Sequence, residues 1–239
     1  MDLSQLDPFN TLIYAIPDIH GCLDALLEAE QRIEADRRGS AGPTYIVYLG
    51  DYVDRGPQSA QVLEHLSTTE IDGVHRIMLC GNHDDMFLSV LRGRENASDW
   101  LTIGGRETLM SYGMSPLEIA RLARSPQRLL EVLERRVSAR HIAFLNALPV
   151  CARLCRDYLF VHAGVFPERA LADQSDMHLM WIREPFLSLG PRLPFTVIHG
   201  HTIVPKPEFV NRRIALDTGA YAHGTLSVLR IAGRKARLL

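Results

Sequence analysis

The most constraining feature of this 239-residue sequence is a recurring junction, in which a short apolar run stops at a glycine next to an aspartate, asparagine or histidine. Leu12 to Ile16 runs into Pro17-Asp18-Ile19-His20-Gly21, Tyr45 to Leu49 into Gly50-Asp51, and Arg76 to Cys80 into Gly81-Asn82-His83-Asp84. Apolar runs of this length bounded by turn residues read as buried strands. Helical patterns lie between them. Leu23, Leu26, Leu27, Ala29 and Ile33 recur at helical spacing as far as Arg37-Arg38-Gly39, and Gln58 to Ser67 is a shorter candidate. This alternation predicts βαβ units on a largely parallel sheet, hence an α/β fold. Ligands in such folds bind outside the carboxyl ends of the strands, which is where the polar clusters fall.

The chain changes character over residues 92–148. Leu129, Leu130, Leu133, Val137, Phe144 and Leu148 trace a helical stripe, with Arg121, Arg124, Arg128, Arg135, Arg136 and Arg140 mixed with glutamates around it. A helical insertion is expected there. Tyr158 to Val161, Thr196 to Ile198, Arg213 to Leu216 and Leu226 to Ile231 return to strand patterns. Without repeats, low-complexity tracts or linker-like stretches, residues 1–239 are expected to form one domain.

Composition narrows the function classes. A formal net charge of −2 and the lack of a basic stripe argue against nucleic acid as a partner. The absence of a signal-like start and of about 20 consecutive apolar residues predicts no membrane association and a cytoplasmic location. Cys22, Cys80, Cys151 and Cys155 are expected to be reduced. A thiol-based phosphatase needs an arginine six positions after its cysteine. Here those positions hold Glu28, Met86, Asp157 and Val161.

Carboxylate and amide oxygens suit hard divalent cations, imidazole suits borderline ones, and a two-metal site needs a carboxylate able to bridge. Asp18 and His20, two apart, leave an extended strand end on the same side. Asp51 follows the second strand, Asn82 the third, His162 the fourth and His201 the fifth. Singly, each is explained by turn formation or as a core histidine. Five strand ends each delivering a metal-competent side chain, with a glycine adjacent at four of them and one residue further on at His162, are not.

These motifs carry a resemblance. Asp18-Ile-His-Gly, Gly50-Asp-Tyr-Val-Asp-Arg-Gly56, Gly81-Asn-His-Asp84, His162-Ala-Gly and Gly200-His-Thr, in that order, resemble the phosphoprotein phosphatase family of calcineurin-like metallophosphoesterases, in its short bacterial class. The resemblance implies two central mixed β-sheets sandwiched by helices. It also implies a dinuclear metal centre, with Asp18, His20 and bridging Asp51 on one ion and Asp51, Asn82, His162 and His201 on the other. Manganese is the expected metal, with iron or zinc as alternatives. Hydrolysis would proceed by direct attack of a hydroxide bridging the two ions. Between the neighbours His199 and His201, the family pattern selects His201.

Further roles follow from the same likeness. Arg55 matches the phosphate-binding arginine and Arg183 resembles a second, His83 matches the general acid, and Asp54 would orient it. Pro17, Asp84 and Ala163 depart from the commonest family pattern, but none removes a ligand. The implied activity is that of a serine/threonine or dual-specificity protein phosphatase. The alternative is a symmetrical dinucleoside polyphosphate hydrolase, and a remote one is a non-catalytic phosphate-binding module. The expected partner is accordingly a phosphorylated protein or a small phosphate ester or dinucleotide. Asp217-Thr-Gly-Ala-Tyr221 is placed at the rim, where turn chemistry explains it equally well.

Overall fold

The computed structural model describes residues 1–40, 42–94 and 97–239; residues 95 and 96 of the expected insertion lie outside them. Its strands are β1 (Asp2–Leu3), β2 (Leu12–Ile16), β3 (Thr44–Tyr48), β4 (Val74–Met78), β5 (Cys151–Leu154), β6 (Tyr158–Val161), β7 (Thr196–His199), β8 (Glu208–Val210), β9 (Arg213–Ala215), β10 (Leu229–Ala232) and β11 (Lys235–Leu238). The helices that bear on the site are α1 (Leu23–Arg37), α2 (Ser59–Thr68) and α3 (Asn82–Leu91). Those of the insertion are α4 (Ala97–Trp100), α5 (Arg106–Ser111), α6 (Pro116–Leu122), α7 (Pro126–Arg136) and α8 (Ala139–Asn146), with a π-helical turn, Leu101–Gly105, joining α4 to α5.

The strands form two mixed sheets, in the orders β1-β5-β6-β7-β9-β8 and β11-β10-β2-β3-β4. The βαβ rhythm of the first third appears in the parallel β2, β3 and β4, and the two mixed sheets agree with the arrangement that the family resemblance implied. Within the second sheet β2, β3 and β4 are parallel, but β10 runs antiparallel to β2 and β11 antiparallel to β10. The first keeps β6, β7 and β9 parallel and adds antiparallel β5 and β8.

Strand periodicity explains the layering. Ile13, Ala15, Val47 and Leu49 face the other sheet and pack with Phe160, Ile198, Ile214 and Leu216. Their neighbours Tyr14, Ile16, Ile46 and Tyr48 point the opposite way, into a core with Leu26 and Ile33 of α1 and Val62, Leu63 and Leu66 of α2. Each such buried aliphatic contributes about 1.5–3 kcal/mol. The third strand begins two residues before the expected Arg76, because pairing of Val74 with Thr44 sets its register. As an edge strand it buries only Ile77 fully, and its hydropathy is mixed.

In the insertion, Leu129, Leu133 and Val137 are buried as expected, whereas Leu145 takes the core position that the stripe assigned to Phe144. The six arginines are exposed. Arg136 pairs with Glu118 at 3.0 Å and Arg140 with Glu64 at 3.0 Å, so the outer face is a solvated mixed-charge surface.

Candidate metal centre

Asp51, His162 and His201 have ligand atoms within 4.8 Å of one another, and so do His20, Asp51 and His83. Asp51 belongs to both groups. Its Oδ2 lies 3.4 Å from His20 Nε2 and 3.4 Å from His162 Nε2, while its Oδ1 accepts the His83 N–H at 2.9 Å. Asn82 joins the second group through Oδ1, 2.9 Å from His162 Nε2, and His201 Nδ1 is 3.2 Å from the same nitrogen. Asp18 is placed differently. Both its oxygens accept the His201 N–H, at 3.0 and 3.1 Å, and it falls in neither group. His83 occupies the third place there instead.

Sharp turns at the strand ends produce this convergence. His20, Asp51, Asp54, Arg55 and His201 all have positive φ, between 45° and 72°. The left-handed region costs a side-chain-bearing residue about 1–2 kcal/mol, so five such residues at one edge mark a strained, functional surface. A Cβ on Gly200 would collide with the Asp18 carboxylate and one on Gly81 with that of Asp51, which is why glycine flanks these donors. Asp84 latches two of the turns together, since its carboxylate accepts the N–H groups of Gly81, Asp51 and Tyr52.

Tautomers follow from the backbone. His20 Nδ1 lies 2.8 Å from Val53 O and His162 Nδ1 2.9 Å from Leu49 O. A carbonyl only accepts, so each Nδ1 carries the proton and each Nε2 turns a lone pair towards Asp51. Burial lowers both His20 and His201 to about 3, keeping them neutral, with Asp51 opposing. Burial likewise favours the protonated form of Asp51, but the charge that the surrounding rings carry when protonated, His162 foremost and then His83, outweighs it, so Asp51 lies well below the carboxylate range and is ionised wherever those rings are neutral. Burial and the charges of Asp217 and Asp51 push Asp18 well up. His20 Nε2 and His201 Nε2 are buried without a hydrogen-bond partner. A buried ionised carboxylate ringed by neutral imidazole lone pairs is a stable arrangement only around positive charge, so the residues fit divalent cations.

A second cluster adjoins the first. His83 Nδ1 is 2.7 Å from Asp54 Oδ2. Burial works against the charged ring, but Asp51 and the Asp54 bond outweigh it, and His83 is raised. Asp54 is held on every side: Trp100 Nε1 donates to it at 2.9 and 3.1 Å and Thr108 Oγ1 at 2.7 Å. Arg55 N–H donates to Gly104 O, its Nη2 lies 3.1 Å from His83 Nε2, and its guanidinium sits 5.1 Å over the Tyr221 ring. Arg183 is exposed at the rim, close enough for its charge to act on His201.

His199 is fully buried against Phe186, apart from both groups. Trp100 and Thr108 were missed by sequence reasoning. A tryptophan ahead of Gly104-Gly105 in an otherwise helical stretch was the available signal, because a buried indole N–H needs an acceptor.

Comparison with known proteins extends this geometry. Residues 11–231 match the family model described as calcineurin-like phosphoesterase. The chain is 26% identical over 230 residues to a bis(5′-nucleosyl)-tetraphosphatase PrpE (asymmetrical) of Bacillus thuringiensis, covering 90% of this chain and 88% of the relative. The corresponding Bacillus anthracis protein gives the same identity and coverage. Among solved structures, one assigned provisionally as a diadenosine tetraphosphatase superposes with a TM-score of 0.66 at 21% identity, over 100% of this chain and 96% of that one. A protein serine/threonine phosphatase from Saccharomyces cerevisiae gives 0.60 at 16%, over 100% and 82%. At these identities the two structures show the shared fold.

Proposed function

The chain belongs to the calcineurin-like phosphoesterase family, and from that premise we propose that it hydrolyses phosphate monoesters of alcohols, foremost phosphoserine and phosphothreonine of proteins, at a centre of two divalent cations. Asp18, His20 and Asp51 would hold one cation, and Asp51, Asn82, His162 and His201 the other. The mixed oxygen and imidazole set suits manganese and tolerates iron or zinc. When bound, two such cations lower the pKa of a shared water towards about 7 and so supply hydroxide at neutral pH.

The remaining work falls to the protein. Arg55 and the protonated form of His83 bring two donors together with no acceptor between them, which is the place a phosphate oxygen fills. Arg183 adds charge from the rim, where the growing negative charge on the phosphoryl oxygens needs it. His83 gives its Nε2 proton to the departing oxygen, and Asp54, clamped by Trp100 and Thr108, keeps the ring in that orientation.

The His83–Asp54 pair is the observation that carries the ester reading. An alkoxide is a poor leaving group until it receives a proton, whereas a nucleotide phosphate departs readily without one, so a buried dedicated acid is worth most on an alkyl ester. A second reading, hydrolysis of dinucleoside polyphosphates, is favoured by the activity for which the Bacillus relatives are named. The test compares turnover of a phosphoserine peptide, a phosphotyrosine peptide and diadenosine tetraphosphate by the manganese-loaded chain. The ester reading expects the phosphoserine peptide to lead. Diadenosine tetraphosphate turned over at least tenfold faster than either peptide would replace it with the second reading.

A further inference from the structure

His199, the last residue of β7, belongs to neither group of donors and is wholly buried. Its ring stands edge-on to Phe186, with centroids 5.0 Å apart and planes at 75°. Phe186 packs with Val161, Ala163 and Val197, and its ring closes over Gly164 so tightly that a Cβ there would overlap it. These are the surroundings of a hydrophobic core. The Nε2 of His199 finds no hydrogen-bond partner in them. A buried polar atom left unpaired is destabilising, so an all-carbon ring would suit this place better. The reason for a histidine lies at the other ring nitrogen.

Nδ1 donates to Gly200 O at 3.1 Å, because a carbonyl only accepts. The same carbonyl accepts the Thr202 N–H at 2.7 Å, which closes a three-residue turn about His201, with φ of 63°. Turns of this hand are rare and strained, so they persist only where the surroundings hold them. The peptide unit between Gly200 and His201 is planar and trans, so its carbonyl and its N–H point in opposite directions. That N–H is the one received by both oxygens of Asp18, at 3.0 and 3.1 Å. A single peptide plane thus has His199 at its carbonyl, Asp18 at its N–H and the His201 side chain on its second Cα. Rotating it would displace the anchor of Asp18 and the imidazole of His201 together.

We propose that His199 is a positioning residue of the metal centre, whose Nδ1–H fixes the Gly200–His201 peptide plane and, through it, the His201 imidazole and the Asp18 carboxylate. The inference rests on the dinuclear reading above. His199 acts through that plane and not as a ligand, which is why a polar ring is kept inside an apolar core.

Two substitutions separate this role from packing. His199→Phe keeps a ring against Phe186 and removes the bond to Gly200 O. In the chelator-stripped full chain it should melt no lower than the wild type, since an unpaired buried nitrogen is gone. Yet calorimetry should show it binding manganese about 10- to 100-fold more weakly, the range for residues that support a metal ligand. His199→Asn does the reverse. Its amide nitrogen can stand where Nδ1 stands and donate to Gly200 O, but the contact with Phe186 is lost, so it should melt lower while keeping manganese affinity near that of the wild type. Manganese bound by His199→Phe as tightly as by the wild type would overturn the inference and leave the dinuclear reading standing. So would His199→Asn binding as weakly as His199→Phe. A wild-type chain that binds no manganese overturns both. Should His199→Phe fail to fold, His199→Leu, which also fills the apolar space without a donor, is read in the same way.

Discussion

The sheet edge and the helical insertion contribute to the same site by different means. At the edge, donors come from strand ends far apart in sequence, and strained turns aim them at Asp51. The insertion reaches the site through contacts that fix residues belonging to the edge: Trp100 and Thr108 grip Asp54, and Gly104 O holds the Arg55 N–H. The difference teaches that the proposed cation binding and the proposed proton delivery have separate structural supports. They should therefore fail separately.

The largest effect is expected from breaking the edge. Asp51→Asn removes the charge common to both groups of donors, so metal content and turnover should both fall by more than the roughly 10- to 100-fold typical of residues that merely support a metal ligand. Elemental analysis checks this, and two retained metals would refute the sharing. Next comes the residue where the two regions meet. His83→Asn should keep both metals yet lose about 10²- to 10⁴-fold in turnover of an alkyl phosphate. Turnover of p-nitrophenyl phosphate, whose leaving group needs little protonation, should fall far less. Equal losses on both substrates would remove the acid role.

Breaking the insertion's grip should cost less. Trp100→Phe preserves the stack on Phe87 but deletes the indole bond to Asp54, worth about 1.5–3 kcal/mol for a charged acceptor, or at least tenfold in alkyl phosphate turnover. Metal content should stay at the wild-type level. A loss of metal in Trp100→Phe would merge the two supports into one.

Opposite pH limbs sharpen the same division. Asp18 is raised in the metal-free site, chiefly by burial, so cation uptake must displace its proton and affinity should fall as pH falls. Calorimetry in two buffers of different ionisation enthalpy measures that release. His83 is raised despite its burial, so the acid form persists above the ordinary histidine value of 6.5 and is lost as pH rises through the raised one. The alkaline limb should be present with alkyl phosphates and weak with p-nitrophenyl phosphate. Smallest of all, Arg136→Ala on the outer face of the insertion should change stability by less than about 0.5 kcal/mol and leave turnover unchanged.

How legible each region was in the sequence follows from the same contrast. The edge could be read because a strand that ends at a glycine and a donor leaves a local signature: β2 and β6 fall on the expected residues, and His20, Asp51, Asn82, His162 and His201 converge. The strands β1, β5, β8 and β11 could not, being two to four residues long and largely half-exposed or exposed, with their pairing decided by tertiary packing. Asp18 was expected among the donors, but its contact with the His201 N–H depends on a close approach at Gly200 that no local pattern encodes. Trp100 and Asp54 are 46 residues apart, and their bond leaves no periodicity to read.

The central claim is that Asp51 is shared by two neighbouring cations. An anomalous difference map from crystals of the manganese-loaded chain tests it most directly. The account predicts two peaks about 3.5–4 Å apart on either side of the Asp51 carboxylate, one towards Asp18 and His20 and the other towards Asn82, His162 and His201. A single peak, or two peaks with the Asp51 carboxylate in contact with neither, would contradict it.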